Sequence, residues 1–109
     1  EVIAVTAVDR SRRIYRRAVR GSHIDFAAPG VSVWTAASVS GGKSKTGTSF
    51  AAPFVSAAAA LAKAKQPGLG SEGIKNVLAQ LSIDLGEAGK DEIFGHGLVQ
   101  AGGLCQPVN

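Results

Sequence analysis

Residues 49–65 constrain the fold more than any other stretch. They read Ser-Phe-Ala-Ala-Pro-Phe-Val-Ser-Ala-Ala-Ala-Ala-Leu-Ala-Lys-Ala-Lys. Alanine is the best helix former, so one long helix is expected over about 49–65. Lys63 and Lys65 fall in its last turn, where positive charge suits the helix dipole. Pro67-Gly68 ends it. The apolar part, Phe50 to Ala62, is interrupted by Pro53 and Ser56. It is also shorter than the roughly 20 residues that a membrane-spanning helix needs, so no membrane span is expected. It reads as a buried core helix whose smooth surface, Ala57 to Ala60, lets neighbouring elements approach closely.

Short apolar runs elsewhere show what such a helix would pack against. Val2 to Val8 is β-branched and almost continuously apolar, which fits a strand covered on both faces of a parallel sheet. Residues 9–22 are polar and arginine-rich and read as a connecting loop. Ile24 to Ala27 is a second short run, Pro29-Gly30 a turn, and Val31 to Trp34 a further strand. Residues 35–47 read as a loop of small and polar residues. Ser71 is a good N-cap for a second helix over about 72–81, where Ile74, Val77, Leu78 and Leu81 recur at amphipathic spacing. Residues 82–97 read as loop, and Leu98 to Leu104 as a short final helix or turn. A doubly covered strand of the Val2 to Val8 kind belongs in a parallel α/β sheet, so the expected fold class is α/β.

At 109 residues the chain is at most one domain, and a domain of that size is only marginally stable alone. It contains no methionine, so it is expected to be a processed or partial product of something longer. Net charge is +4, and the positive charge is local: Arg10, Arg12, Arg13, Arg16, Arg17 and Arg20 crowd into one stretch. Such a run fits a polyanion, but Tyr15 is its one aromatic and no DNA-reading helix accompanies it. A solvated surface segment, open to nicking by trypsin-like proteases, is the expected reading. Cys105, the single cysteine, is either a free thiol or the partner of a cysteine outside these residues. Asp9, Asp84, Glu87, Asp91 and Glu92 are scattered without metal-ligand spacing, and no cofactor is identifiable.

Ser49 itself admits two roles. Its hydroxyl can cap the helix that follows, and spacing alone favours that reading. It can also act as a nucleophile, because free N–H groups and the dipole at a helix N-terminus stabilise negative charge nearby. Gly47 permits close backbone approach of a substrate. Pro53 is expected to be tolerated because the helix is just starting.

Gly47-Thr48-Ser49-Phe50-Ala51-Ala52-Pro53 resembles the serine motif of the subtilase family, written G-T-S-x-A-x-P. Three further segments resemble the family in its own order. Val2 to Asp9 is similar to its core strand, Ile24 to Val31 to its A-P-G segment, and Gly95-His96-Gly97-Leu98-Val99-Gln100-Ala101 to its closing Y-G-x-G-x-x-x-A stretch. Phe54 stands where many relatives have histidine, Phe94 neighbours the place of the usual tyrosine, and the loop at 10–20 is richer in arginine than is usual. The resemblance covers nearly the whole chain. It implies the C-terminal portion of a subtilisin-like parallel-sheet three-layer fold, incomplete on its own, with no complete second domain within 1–109.

The resemblance also implies a serine endopeptidase working through an acyl-enzyme, with Ser49 as the nucleophile. In the family the order is Asp, then His, then Ser. The base lies roughly 150 residues before the serine and the oxyanion asparagine roughly 65 before it. Only 48 residues precede Ser49, so these groups are expected in an upstream part of the same protease, which becomes a required partner alongside the peptide substrate. His23, in a loop, is expected to be a surface or turn residue and His96, between two glycines, a loop filler. Asp25 is expected to be structural. Calcium sites occur in the family, though none can be placed on these residues, and family habit favours export to the exterior or the cell envelope. Two other readings stay open: a non-catalytic binding or scaffold domain derived from a subtilase, and a polyanion-binding module built on Arg10 to Arg20. Nucleic acid is not expected as a partner.

Overall fold

The computed structural model describes residues 2–36 and 41–104. Strand β1 (Val5–Val8) lies parallel to β2 (Phe26–Pro29), with Val5 opposite Phe26 and Val8 opposite Pro29. Side chains alternate across a strand, and both faces here are covered. Ala7, Phe26 and Ala28 pack with Ala51, Val55, Ala58 and Ala62 of helix α1 (Thr48–Lys65) and with Leu78 of helix α2 (Ser71–Leu81). Val8 and Ala27 pack on the other face with Leu98, against Ile83, Leu85 and Phe94. A strand covered on both faces, as its composition predicts, is therefore what forms.

The sheet does not stop at β2. Ala27 donates to the Gly97 carbonyl at 2.8 Å and accepts from the Val99 N–H at 3.0 Å, and Leu98 in turn exchanges bonds with Ile83. The Gly-His-Gly-Leu stretch is thus an extended segment along the sheet edge, and the helical turn expected over 98–104 shrinks to Gly102–Leu104.

Other boundaries also differ for physical reasons. β1 begins at Val5, not Val2, because the Ala4 N–H is taken by the Asp25 carboxylate at 2.9 Å. The expected strand at Val31 to Trp34 is β3 (Val33–Thr35). It pairs antiparallel with β4 (Lys43–Lys45), inside what reads as loop. β4 has no apolar alternation to announce it, since all three of its side chains are exposed. The Thr46 hydroxyl accepts from the Ser32 N–H at 2.9 Å and helps close this hairpin. Residues 37–40 of the expected 35–47 loop, and Cys105, lie outside the described residues.

The cap expected of Ser71 does not form, nor does the capping alternative for Ser49. Gly47 is the N-cap of α1 and Gly70 that of α2, and neither helix carries a side-chain cap hydrogen bond. Ser49 and Ser71 each lie inside their helix. Nor is α1 buried all round: Ala51, Val55, Ala58 and Ala62 form one buried face, while Phe54 and Leu61 are exposed. Its alanines do bring it close to its neighbours, since Ala51 and Ala58 meet the sheet and α2 with almost no exposed surface.

Candidate active site

A relay of main-chain hydrogen bonds sets the start of α1. The Gly30 N–H donates to the Val8 carbonyl at the end of β1 (3.1 Å), the Gly47 N–H to the Gly30 carbonyl (2.8 Å), and the Phe50 N–H to the Gly47 carbonyl (3.1 Å). The segment before Ser49 is thereby suspended from the ends of both parallel strands. Gly30 is needed for this. A Cβ there would lie 2.5 Å from the Ala7 Cβ, 2.8 Å from the Gly47 carbonyl oxygen and 3.0 Å from the Ala51 Cβ.

Ser49 occupies the second position of α1 and is exposed. The first N–H groups of a helix have no intrahelical acceptor, and the Ser49 N–H is among them. The hydroxyl and a free N–H of one residue thus share the exposed, electropositive end of the helix. Such an end can stabilise an anion forming on a carbonyl that the hydroxyl attacks. Pro53 is the sixth residue of the helix, not part of its first turn. Having no N–H, it leaves the Ser49 carbonyl without its donor four residues on.

The other candidates do not converge on Ser49 through hydrogen bonds. Asp25 is structural: its carboxylate accepts from the Ala4 N–H and lies 3.6 Å from the Lys75 ammonium of α2. His96 is half-buried, not a loop filler; its ring lies 5.4 Å from that of Phe26, and its N–H donates to the Asp25 carbonyl at 2.7 Å. His23 is exposed and lines a cavity of about 340 Å³ with Thr48, Tyr15, Arg17 and Ala18. All six arginines of the 10–20 run are exposed. Arg13 meets Asp9 at 3.3 Å. The Arg13 N–H, joined by that of Ser11 and by the Arg13 guanidinium, holds the Asp9 carboxyl below its ordinary pKa. Among the described residues no group of three or more metal-binding side chains gathers, and no helix is long and apolar enough to cross a membrane.

Sequence reasoning missed two cations that lie near the residues flanking the serine. Lys45 sets its ammonium over the Phe50 ring, 6.0 Å from the centroid. Arg17 reaches the cavity that Thr48 lines. The first follows from the unannounced strand β4. The second joins residues about thirty positions apart, which no local pattern reports.

Comparison with known proteins agrees with this architecture. A model of the subtilase family matches residues 1–97. Subtilisin DY of Bacillus licheniformis is 34% identical over 105 residues, covering 96% of this chain and 37% of that protein. Minor extracellular protease Epr of Bacillus subtilis (strain 168) is 30% identical over 99 residues, covering 91% of this chain and 15% of its own length. The crystal structure of fervidolysin from Fervidobacterium pennivorans, a keratinolytic enzyme related to subtilisin, superposes with a TM-score of 0.85 at 24% identity, over 98% of this chain and 19% of that one. The chain thus spans well under half the length of each relative. The family model spans most of the chain, and the chain belongs to the subtilase family of serine proteases.

Proposed function

We propose that Ser49 is the nucleophile of a subtilisin-like endopeptidase, and that this chain carries it without its base. The observation that supports the reading is the placement of Ser49: exposed, uncapped, at the second position of a helix hung from the ends of two parallel strands. In the complete protein the Ser49 hydroxyl attacks the scissile carbonyl while a histidine supplied from upstream takes its proton. An upstream aspartate holds that histidine in the required tautomer. The Ser49 N–H and an upstream asparagine share the oxyanion. The amine departs with the proton held by the histidine, and water releases the acyl group from Ser49. Thr48 shapes the turn. Its relatives include a protease named extracellular, which supports export of the complete protein.

Fluorophosphonate labelling tests this. The complete protein is expected to be labelled at Ser49, and the 109-residue chain alone to be labelled far more slowly and to hydrolyse no peptide. Failure of the complete, folded protein to label at Ser49 would instead favour a scaffold that keeps the fold without the chemistry.

A further inference from the structure

The sequence on either side of Ser49 is one-sidedly charged. Between Phe26 and Ser71 the chain has no aspartate or glutamate, so nothing on that stretch offsets Lys43 and Lys45 of β4, both exposed. Side chains two apart on a strand share a face, so the two ammonium groups extend from the same side of the hairpin. Lys45 reaches the ring of Phe50, the residue after the serine. From a different element, Arg17 of the 9–22 loop lines a cavity with Thr48, the residue before it. Neither Lys45 nor Arg17 forms an ion pair among the described residues. The two described acids in the first half of the chain are engaged elsewhere, Asp9 by Arg13 and Asp25 by Lys75.

We propose that Lys45 and Arg17 make this site select acidic peptides. Aspartate or glutamate is preferred in the part of the substrate that lies along β4 and the arginine loop, beside the scissile bond. The proposal rests on Ser49 being the nucleophile and adds the chemical class of the substrate. A peptide whose carbonyl is held at Ser49 passes beside Thr48 and Phe50, where Lys45 lies over the Phe50 ring and Arg17 lines a cavity with Thr48. Charges partly screened by water act over about 10 Å at moderate salt. A carboxylate there gains from both cations, and a lysine is repelled by both.

The test uses the complete protease and peptides that differ at one position, carrying Glu, Gln or Lys, scanned across the residues flanking the cleaved bond. At one or more positions kcat/KM is expected to be about tenfold higher for Glu than for Lys, with Gln between. The ratio should shrink as salt rises from about 0.05 M to about 0.5 M. Lys45→Glu and, separately, Arg17→Glu should each lower or invert the ratio, with folding checked by thermal unfolding. Because both side chains are exposed, either variant suffices if the other unfolds. Ser49-dependent hydrolysis with equal kcat/KM for all three peptides overturns the acidic preference and leaves the serine assignment standing. Absence of both labelling and hydrolysis overturns the two together. Salt-sensitive inhibition by a single-stranded oligonucleotide, without any peptide preference, overturns it in favour of a polyanion site.

Discussion

The hydroxyl of Ser49 is like that of any serine; what sets it apart is its place at the exposed start of α1. Ser49→Ala in the complete protein is expected to lower kcat on the order of a millionfold, the loss known for the corresponding removal in a subtilisin, without changing the melting temperature by more than about 2 °C, since an exposed hydroxyl with no capping role contributes little. Gly30 works in the opposite way, having no chemistry but no spare room. Gly30→Ala must displace Ala7 or the Gly47 carbonyl. It is expected to cost about 1–3 kcal/mol in thermal unfolding and to slow fluorophosphonate labelling, because Gly47 leads directly into the serine. Asp9 gives a pH-dependent signal. Its folded carboxyl titrates below the ordinary value of 3.8, so the contribution it makes to the turn at 9–13 is complete above that value. The contribution is lost as the pH falls through the lowered pKa. The group is exposed, so the effect is local and small. It should appear as chemical-shift changes of the Ser11 and Arg13 amides below the ordinary titration range, and Asp9→Asn should abolish them.

Elements differ in how openly the sequence declares them. Both helices declared themselves, α1 through alanine content and α2 through the spacing of Ile74, Val77, Leu78 and Leu81, and β1 and β2 through apolar runs. Leu78 is fully buried in the core cluster that α1, α2 and the sheet share. Leu78→Ala is therefore expected to cost about 2–5 kcal/mol, measured by denaturant unfolding of the complete protein. β4 was not legible, because Lys-Ser-Lys has neither alternation nor a buried face; its pairing with β3 comes from chain geometry and one Thr46 hydroxyl. Serine near a helix start is an ambiguous signal for a related reason. Serine has a real preference for N-cap positions, but at both helices a glycine already stands at that place, and each serine is carried into the first turn. The role of the His96 segment is tertiary, so no local pattern declares it. Its backbone completes the edge of β2, and its ring rests on Phe26.

For the molecule as a whole, the part of the site legible from sequence is the part that is local in the chain. Gly47 to Pro53 singles out Ser49 by pattern, whereas the close fit of Gly30 against Ala7 and Gly47 and the cavity that Arg17 shares with Thr48 arise only through the fold. The same division predicts what the isolated chain does. Without a base in hydrogen-bonding reach, Ser49 is expected to give no hydrolysis above background, and adding the upstream part of the protease in trans should restore it. A peptidase assay with and without that part decides the matter. The relay from Val8 through Gly30 and Gly47 to Phe50 has a further consequence. Every bond in it joins one peptide unit to another, so apart from its glycines it is indifferent to which side chains the chain carries. Sequence drift in the 9–22 loop or in β4 can therefore alter the surface beside Ser49 while the serine stays where it is. Such a frame lets evolution, or a protein engineer, transplant recognition loops as cassettes without relearning the chemistry.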